Sequence, residues 1–143
     1  MLGKLVGVLG ILLILSISYT QVFALIELQR VTINDPRLEN TSGTSIVDNF
    51  NVNQSIQVSV DVTNIQEESQ NFVYIVQIKN NAGFVVSLTT IAGVELNPHQ
   101  KFSLSLPWTP NESGKYTAEI FIWEGLINHS ALVEYATLQI NVS

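Results

Sequence analysis

From Ser55 to Thr63 every second residue is apolar. Ile56, Val58, Val60 and Val62 alternate with Ser55, Gln57, Ser59, Asp61 and Thr63. Side chains on a strand point to opposite faces in turn, so this pattern fits a strand with one face on a core and the other in water. A helix would scatter the same valines around its circumference. Similar period-2 runs occur at Ile26–Ile33, Phe72–Lys79, Phe84–Ile91, Phe102–Trp108, Lys115–Glu124 and Glu134–Val142. Turn residues separate them: Asn80-Asn81-Ala82-Gly83 has hairpin composition, and Asn97-Pro98-His99 is a second turn. Asn34–Thr44, with Pro36 and Gly43, reads as a loop, and Ile46-Val47 as a short edge strand. Pro107 lacks a ladder donor, which places the Phe102–Trp108 run at an edge or ends it there. About seven strands in the 119 residues from Leu25 onward point to one all-β sandwich, with an up-and-down barrel as the alternative.

The first 24 residues have a different character. Lys4 is the only charge before Glu27, Leu5–Ile17 is apolar, and Val22-Phe23-Ala24 offers small or β-branched residues before a cut after Ala24. A basic start, a short apolar core and a small-residue exit describe a signal peptide over 1–24, leaving 25–143 as the exported domain. Two alternatives stay open. The uncharged window Leu5–Ile26 has 22 residues, long enough to anchor the chain in a membrane if it is not cut. A cut just after Lys4 would instead leave an apolar helix of the kind pilin-like filament subunits carry, although the polar break Ser18–Gln21 argues against it. All three export the domain, so the expected location is secreted or at the cell surface, with the membrane touched only through an uncleaved N-terminal segment.

The segment Trp108-Thr109-Pro110-Asn111-Glu112-Ser113-Gly114-Lys115-Tyr116 carries the most specific signal. Gly114-x-Tyr116 opens a strand directly after a polar turn. In Ig-like sandwiches a Tyr at this place forms a tyrosine corner, its ring in the core and its hydroxyl bonded to upstream backbone. Together with Val58-x-Val60-x-Val62-x-Asn64, Asn80-Asn81-Ala82-Gly83, Leu96-Asn97-Pro98, Trp108-x-Pro110 and Phe121-x-Trp123, it resembles the Ig-like adhesion-type modules of archaeal and bacterial secreted proteins called CARDB-like. The resemblance covers most of Ser55–Val142. It implies a single Ig-like or fibronectin-III-like β-sandwich after an N-terminal signal peptide or apolar helix, a surface location and no active site. Domains of the protease-inhibitor type share the same general look.

Composition narrows the chemistry. The net charge is −6, against phosphate-backbone binding of nucleic acid, and there is no cysteine. A cupredoxin also opens a strand with Gly-x-Tyr, but its copper Cys would fall at Ala118, Glu119 or Ile120. His99 and His129 are the only histidines, short of the roughly three or four protein ligands a zinc site takes. Asp48-Asn49-Phe50-Asn51-Val52-Asn53 spaces oxygens like a calcium loop but lacks its glycine and closing glutamate. Glu67 and Glu68 are adjacent and diverge on extended chain, so they do not converge on one bond. No nucleophile elbow, P-loop or dinucleotide fingerprint is present. We therefore expect no catalytic residues, no metal and no cofactor.

Two sets of surface residues remain. Asn40, Asn53, Asn111, Asn128 and Asn141 head Asn-x-Ser/Thr triplets, against about two expected by chance from 13 Asn and 23 Ser plus Thr. They are candidate glycosylation sites of a surface glycoprotein. Strand parity places Tyr116, Ala118, Ile120 and Ile122 inward, which turns Phe121 and Trp123 outward. Val73, Ile75 and Tyr135 would join them in one interaction patch, unless a bulge turns Trp123 inward or Leu126–Leu132 covers it. The expected function is a non-catalytic binding or structural module of the cell envelope that recognises a protein or envelope component. The N-terminal alternatives have distinct readouts. Intact mass and N-terminal sequencing of the native protein should give a start at Leu25; Met1 would mean a tether, and Leu5 a filament subunit.

Overall fold

The computed structural model describes residues 29–46 and 49–143; the leader segment 1–24 and Val47 of the short edge strand lie outside them. Seven strands follow in order: β1 (Val31–Glu39), β2 (Ile56–Asn64), β3 (Gln70–Asn80), β4 (Val85–Leu96), β5 (Lys101–Trp108), β6 (Gly114–Trp123) and β7 (Ala136–Val142). They form two antiparallel sheets, one ordered β1-β2-β5 and the other β4-β3-β6-β7. The chain crosses between sheets after β2, β4 and β5. This is the all-β, Ig-like sandwich expected from the alternation, with β3, β6 and β7 placed as strands C, F and G and β4 added beside C.

The core is the stacked inward parity of both sheets. Ile56, Val58, Val60 and Val62 of β2 are fully buried, as are Tyr74, Ala118, Ile120 and Ile122 on the facing sheet. Leu104, Leu106, Phe72, Val76, Ile78, Tyr116, Ile140 and Val142 complete the layer, and Phe50 and Leu132 plug it from connecting segments. Without disulfides, the sheets are joined by apolar burial and by a polar link: the Tyr74 hydroxyl donates to the Val58 carbonyl at 2.8 Å. Burial pushes the Tyr74 phenol well above its ordinary pKa, so it stays a donor at any physiological pH.

Two expectations from the sequence are corrected. Asn34–Glu39 is not loop but the second half of β1. Asn34 pairs with Asp61 and Arg37 with Ser59, so Asp35 and Pro36 together oppose Val60 in a bulge, with Asp35 at φ 47°. A bulge takes a proline because its residue is outside the regular ladder. The second correction concerns the polar parity of β2, which is not in water: Ser59 is fully buried and Asp61 is 8% exposed.

The bulge explains that burial, because it puts Arg37 across the outer face of the β1-β2-β5 sheet. Arg37 Nε donates to Glu39 at 2.6 Å, and its Nη1 to Asp61 at 3.2 Å. Lys101 Nζ reaches Asp61 at 2.7 Å and Ser103 Oγ donates to it at 2.7 Å. Ser59 Oγ lies 2.7 Å from both Glu39 and Ser105 Oγ. Lys101, Ser103 and Arg37 hold the Asp61 carboxyl down at about 2, from an ordinary 3.8. Burial pushes Glu39 up, but bonds from Ser59 and Arg37 outweigh it and leave Glu39 below its ordinary value.

Asn64, at the end of β2, closes one end of the sandwich. Its fully buried amide donates to the carbonyls of Glu68, Leu96 and Asn97 at 2.7, 3.2 and 3.2 Å, and its oxygen accepts from the Gln66 N–H. It thus ties the β2–β3 loop to the β4–β5 turn.

A group whose folded pKa is depressed stabilises the fold above its unfolded pKa and loses that contribution as the pH falls. For Asp61 the window runs from 3.8 down to about 2. Thermal unfolding should therefore show Tm falling across that window. Asp61→Asn should flatten the fall and cost about 2 kcal/mol at neutral pH, because Lys101 and Arg37 lose their shared acceptor. An unchanged pH profile in that variant would remove Asp61 from the account.

Candidate interaction surface

The outward parity of β3 and β6 builds the surface. Val73 pairs with Trp123 and Ile75 with Phe121, and on the β4 side Thr90 lies opposite Ile75 and Leu88 opposite Gln77. Just before β7, Tyr135 stacks on Phe121 with ring centroids 5.3 Å apart and planes 24° from parallel. Trp123 leans on Phe121 at 5.8 Å and receives the His129 ring edge-on at 5.8 Å. The five residues named from parity therefore share one face of the β4-β3-β6-β7 sheet.

They do not share one degree of exposure. Val73 and Ile75 are 4% and 5% exposed, Phe121 and Trp123 are half-buried, and Tyr135 is 52% exposed. The large rings and the segment after β6 lie over the two small residues. That segment turns back at Gly125, and Ala131 pairs with Trp123. Backbone bonds Glu124 N–H to Ser130 O and Leu132 N–H to Ile122 O hold it, and Arg30 reaches Glu124 at 3.4 Å. Leu126, itself 53% exposed, overhangs an open cleft walled by Ile75, Gln77, Leu88, Thr90, Phe121 and Trp123. Below the aromatics the face turns polar. Gln77 donates to Glu119 at 2.7 Å and Lys79 bonds the same carboxylate at 3.0 Å.

Gly114 opens β6 at φ 152°, a conformation a side chain disfavours, with the Tyr116 ring directly over it. The Tyr116 hydroxyl donates to the Glu112 carbonyl at 2.9 Å, and Trp108 packs edge-on to its ring at 4.9 Å. Of the five sequon asparagines, Asn53, Asn111, Asn128 and Asn141 are exposed and Asn40 is half-buried. The Asn40 oxygen organises a turn by accepting from Ser42 and Thr44 N–H groups, and the Asn128 amide donates to Glu124 at 2.9 Å.

The polar cluster on the β1-β2-β5 sheet is internally satisfied. Glu39 and Asp61 are both held ionised and their oxygens are engaged by internal donors, whereas a general acid needs a raised pKa and a free edge. Among the described residues no group of three or more His, Asp or Glu side chains is placed to hold a metal. His99 faces Glu67 at 3.1 Å in an exposed pair. Sequence reasoning missed the Arg37–Asp61 network and the Asn64 clamp. Pro36 masked the first; for the second, Asn64 and Leu96-Asn97 stood in the motif pieces, but not their contact.

A family model described as SlaA-like, S-layer A-like, matches residues 7–138. The chain belongs to the S-layer A-like family. This S-layer A-like chain also shares its fold with solved structures of low identity. The C-terminal domain of wzt is 14% identical with a TM-score of 0.68, over 80% of this chain and 74% of that one. The CARDB domain of PF1109 from Pyrococcus furiosus is 21% identical with a TM-score of 0.54, over 79% and 94%. A Paenibacillus sp. cycloisomaltooligosaccharide glucanotransferase is 16% identical with a TM-score of 0.60, over 78% of this chain but only 14% of the enzyme. No curated protein matches by sequence. The CARDB match covers nearly the whole of that domain, and the CARDB-like resemblance read from the sequence holds for the fold.

Because Trp123 is held by Phe121, His129 and the pairing with Ala131, its removal should be felt in the fold as well as on the surface. Trp123→Ala is expected to cost about 2 kcal/mol, below the about 3 to 5 of a fully buried aromatic, whereas Tyr135→Ala should stay within about 1. Urea unfolding of both variants measures the difference; equal losses would mean that Tyr135 is as deeply held as Trp123.

Proposed function

We propose that the protein is a non-catalytic, cell-surface module of structural or adhesion type, which acts by contact through its sheets and loops. The observation that carries this reading is the S-layer A-like match over residues 7–138, a span that takes in six of the seven strands and the start of β7. Three features support it. The two most buried carboxylates, Glu39 and Asp61, are satisfied by internal donors. The basic start and apolar run Leu5–Ile17 have the composition of an export signal. The aromatic face of the β4-β3-β6-β7 sheet joins half-buried anchors to an exposed Tyr, the residue types enriched where proteins meet partners. On this reading the partner is a protein or another envelope component, and the exposed sequon asparagines are open to glycan attachment in a host that makes it.

Fractionation of the native host should recover the chain with the envelope, and protease added to intact cells should remove it. A chain found in the cytosol and protected from that protease would overturn the proposal. Intact mass measured on the same material should exceed the peptide mass if any of Asn53, Asn111, Asn128 or Asn141 carries a glycan.

A further inference from the structure

A sheet edge exposes unpaired N–H and C=O groups, and natural sandwiches blunt their edges. Three of the four edges here are blunted. β1 carries Pro36 in its bulge, and its far end is paired by Ser45 and Ile46, whose N–H reaches Leu38 O at 2.8 Å. β5 has an exposed Lys101 at its start and an exposed Pro107 near its end. β7 is strapped by Phe50–Val52, through Phe50 N–H to Asn141 O at 2.9 Å, Ser143 N–H to Phe50 O at 2.7 Å and Val52 N–H to Ser143 O at 3.1 Å.

β4 has no such strap; it is bulged at Val86 and at Ala92-Gly93, which leaves Ser87–Ile91 as the regular stretch between them. It runs twelve residues with no proline, lysine or arginine, and its one charge is Glu95, next to its end. Among the described residues, no backbone group outside its own sheet bonds to it. Its first half is apolar and open: Val85, Val86 and Leu88 are 51%, 48% and 62% exposed, with Phe84 before them at 71%.

We propose that β4 is the pairing edge for the β4 of a second copy of this chain, the two running antiparallel about a two-fold axis. Backbone pairing demands an extended strand as occupant, and an antiparallel pair of identical strands is self-complementary. Charge favours the same occupant. The chain as a whole is at −6, yet Val85–Val94 is uncharged, so two copies meet here without like charges across the seam. With the axis near Leu88 and Thr89, Glu95 of one copy falls beside the uncharged Asn80–Phe84 turn of the other. The two four-stranded sheets become one, and Leu88, which borders the aromatic cleft, carries that apolar surface across the seam.

The test uses the full chain, sedimented from about 1 to 100 µM, the range that brackets micromolar affinity. The wild type should dimerise. The double variant Val86→Lys/Leu88→Lys, at two exposed positions, should keep its Tm and weaken the dimer at least about 100-fold, by setting like charges across the seam. The chain has no cysteine, so Val86→Cys, Leu88→Cys and Thr90→Cys report the register one at a time. Mild oxidation should link copies mainly at the position nearest the axis, and should not link Thr137→Cys on exposed β7. A monomer throughout, a dimer unmoved by the lysines, or linkage as efficient at position 137 would each overturn the proposal.

Discussion

The sandwich depends on the bond between Tyr74 and the Val58 carbonyl and on the valine stripe around it. Ig-type domains often join their sheets with a disulfide, and a chain without cysteine has to obtain the same fixed spacing another way. Here fully buried Val58, Val60 and Val62 share one core with Tyr74 of the opposite sheet, and the tyrosine hydroxyl finds its partner on the central strand itself. A buried phenol without that acceptor would carry its full desolvation penalty, so the bond fixes which residue of β2 stands opposite β3. A one-residue slip in β2 would turn its valines to solvent and strand the hydroxyl. The positions of β6 and β5, which pair with β3 and β2, follow from that fixed register.

The outer faces are specified differently. On the β1-β2-β5 sheet the polar parity of β2 is buried beneath charge, because the Asp35-Pro36 bulge re-aims Arg37 over Ser59 and Asp61. Two carboxylates, one guanidinium, one ammonium and three hydroxyls then satisfy one another. Nothing in the alternation of Ser55–Thr63 indicates this: Asp61 reads as a solvent residue, and only the neighbouring strands show which cations reach it. The same proline made Asn34–Glu39 read as loop. Local propensity opposed a strand there, and pairing with β2 on both sides of the bulge outweighed it.

On the other sheet, parity alone placed Phe121 and Trp123 outward beside Val73 and Ile75, since an unbroken strand fixes the face of every residue once one is known. Depth was legible only as the alternative that Leu126–Leu132 covers the patch; the contacts that fold Gly125–Leu132 back along β6 involve Arg30, Glu124 and Ala131, which lie far apart in sequence or carry no pattern. β4 was legible in its first half and not in its second. It continues to Leu96 because Ala92 and Gly93 oppose Val73 in a bulge, with Gly93 at φ 72°. A glycine there looks like an end, whereas it is the residue that lets the strand go on.

The bulge of β1 and those of β4 have opposite consequences for the edges they sit on. In β1 the bulge holds a proline and turns an arginine inward over the sheet, which leaves that edge irregular and poor at pairing. In β4 the bulges lie at Val86 and at Ala92-Gly93, and leave Ser87–Ile91 regular between them. The open half is also where the sheet's outer face changes from the Gln77–Lys79–Glu119 cluster to the aromatic cleft, so the unpaired backbone and the apolar surface end at the same strand. A sandwich that needed only to be soluble would gain by a lysine or proline at Val86 or Leu88. Neither is present, although β5 carries both and β1 carries a proline, and the difference is the physical reason to treat β4 as a surface shaped for contact.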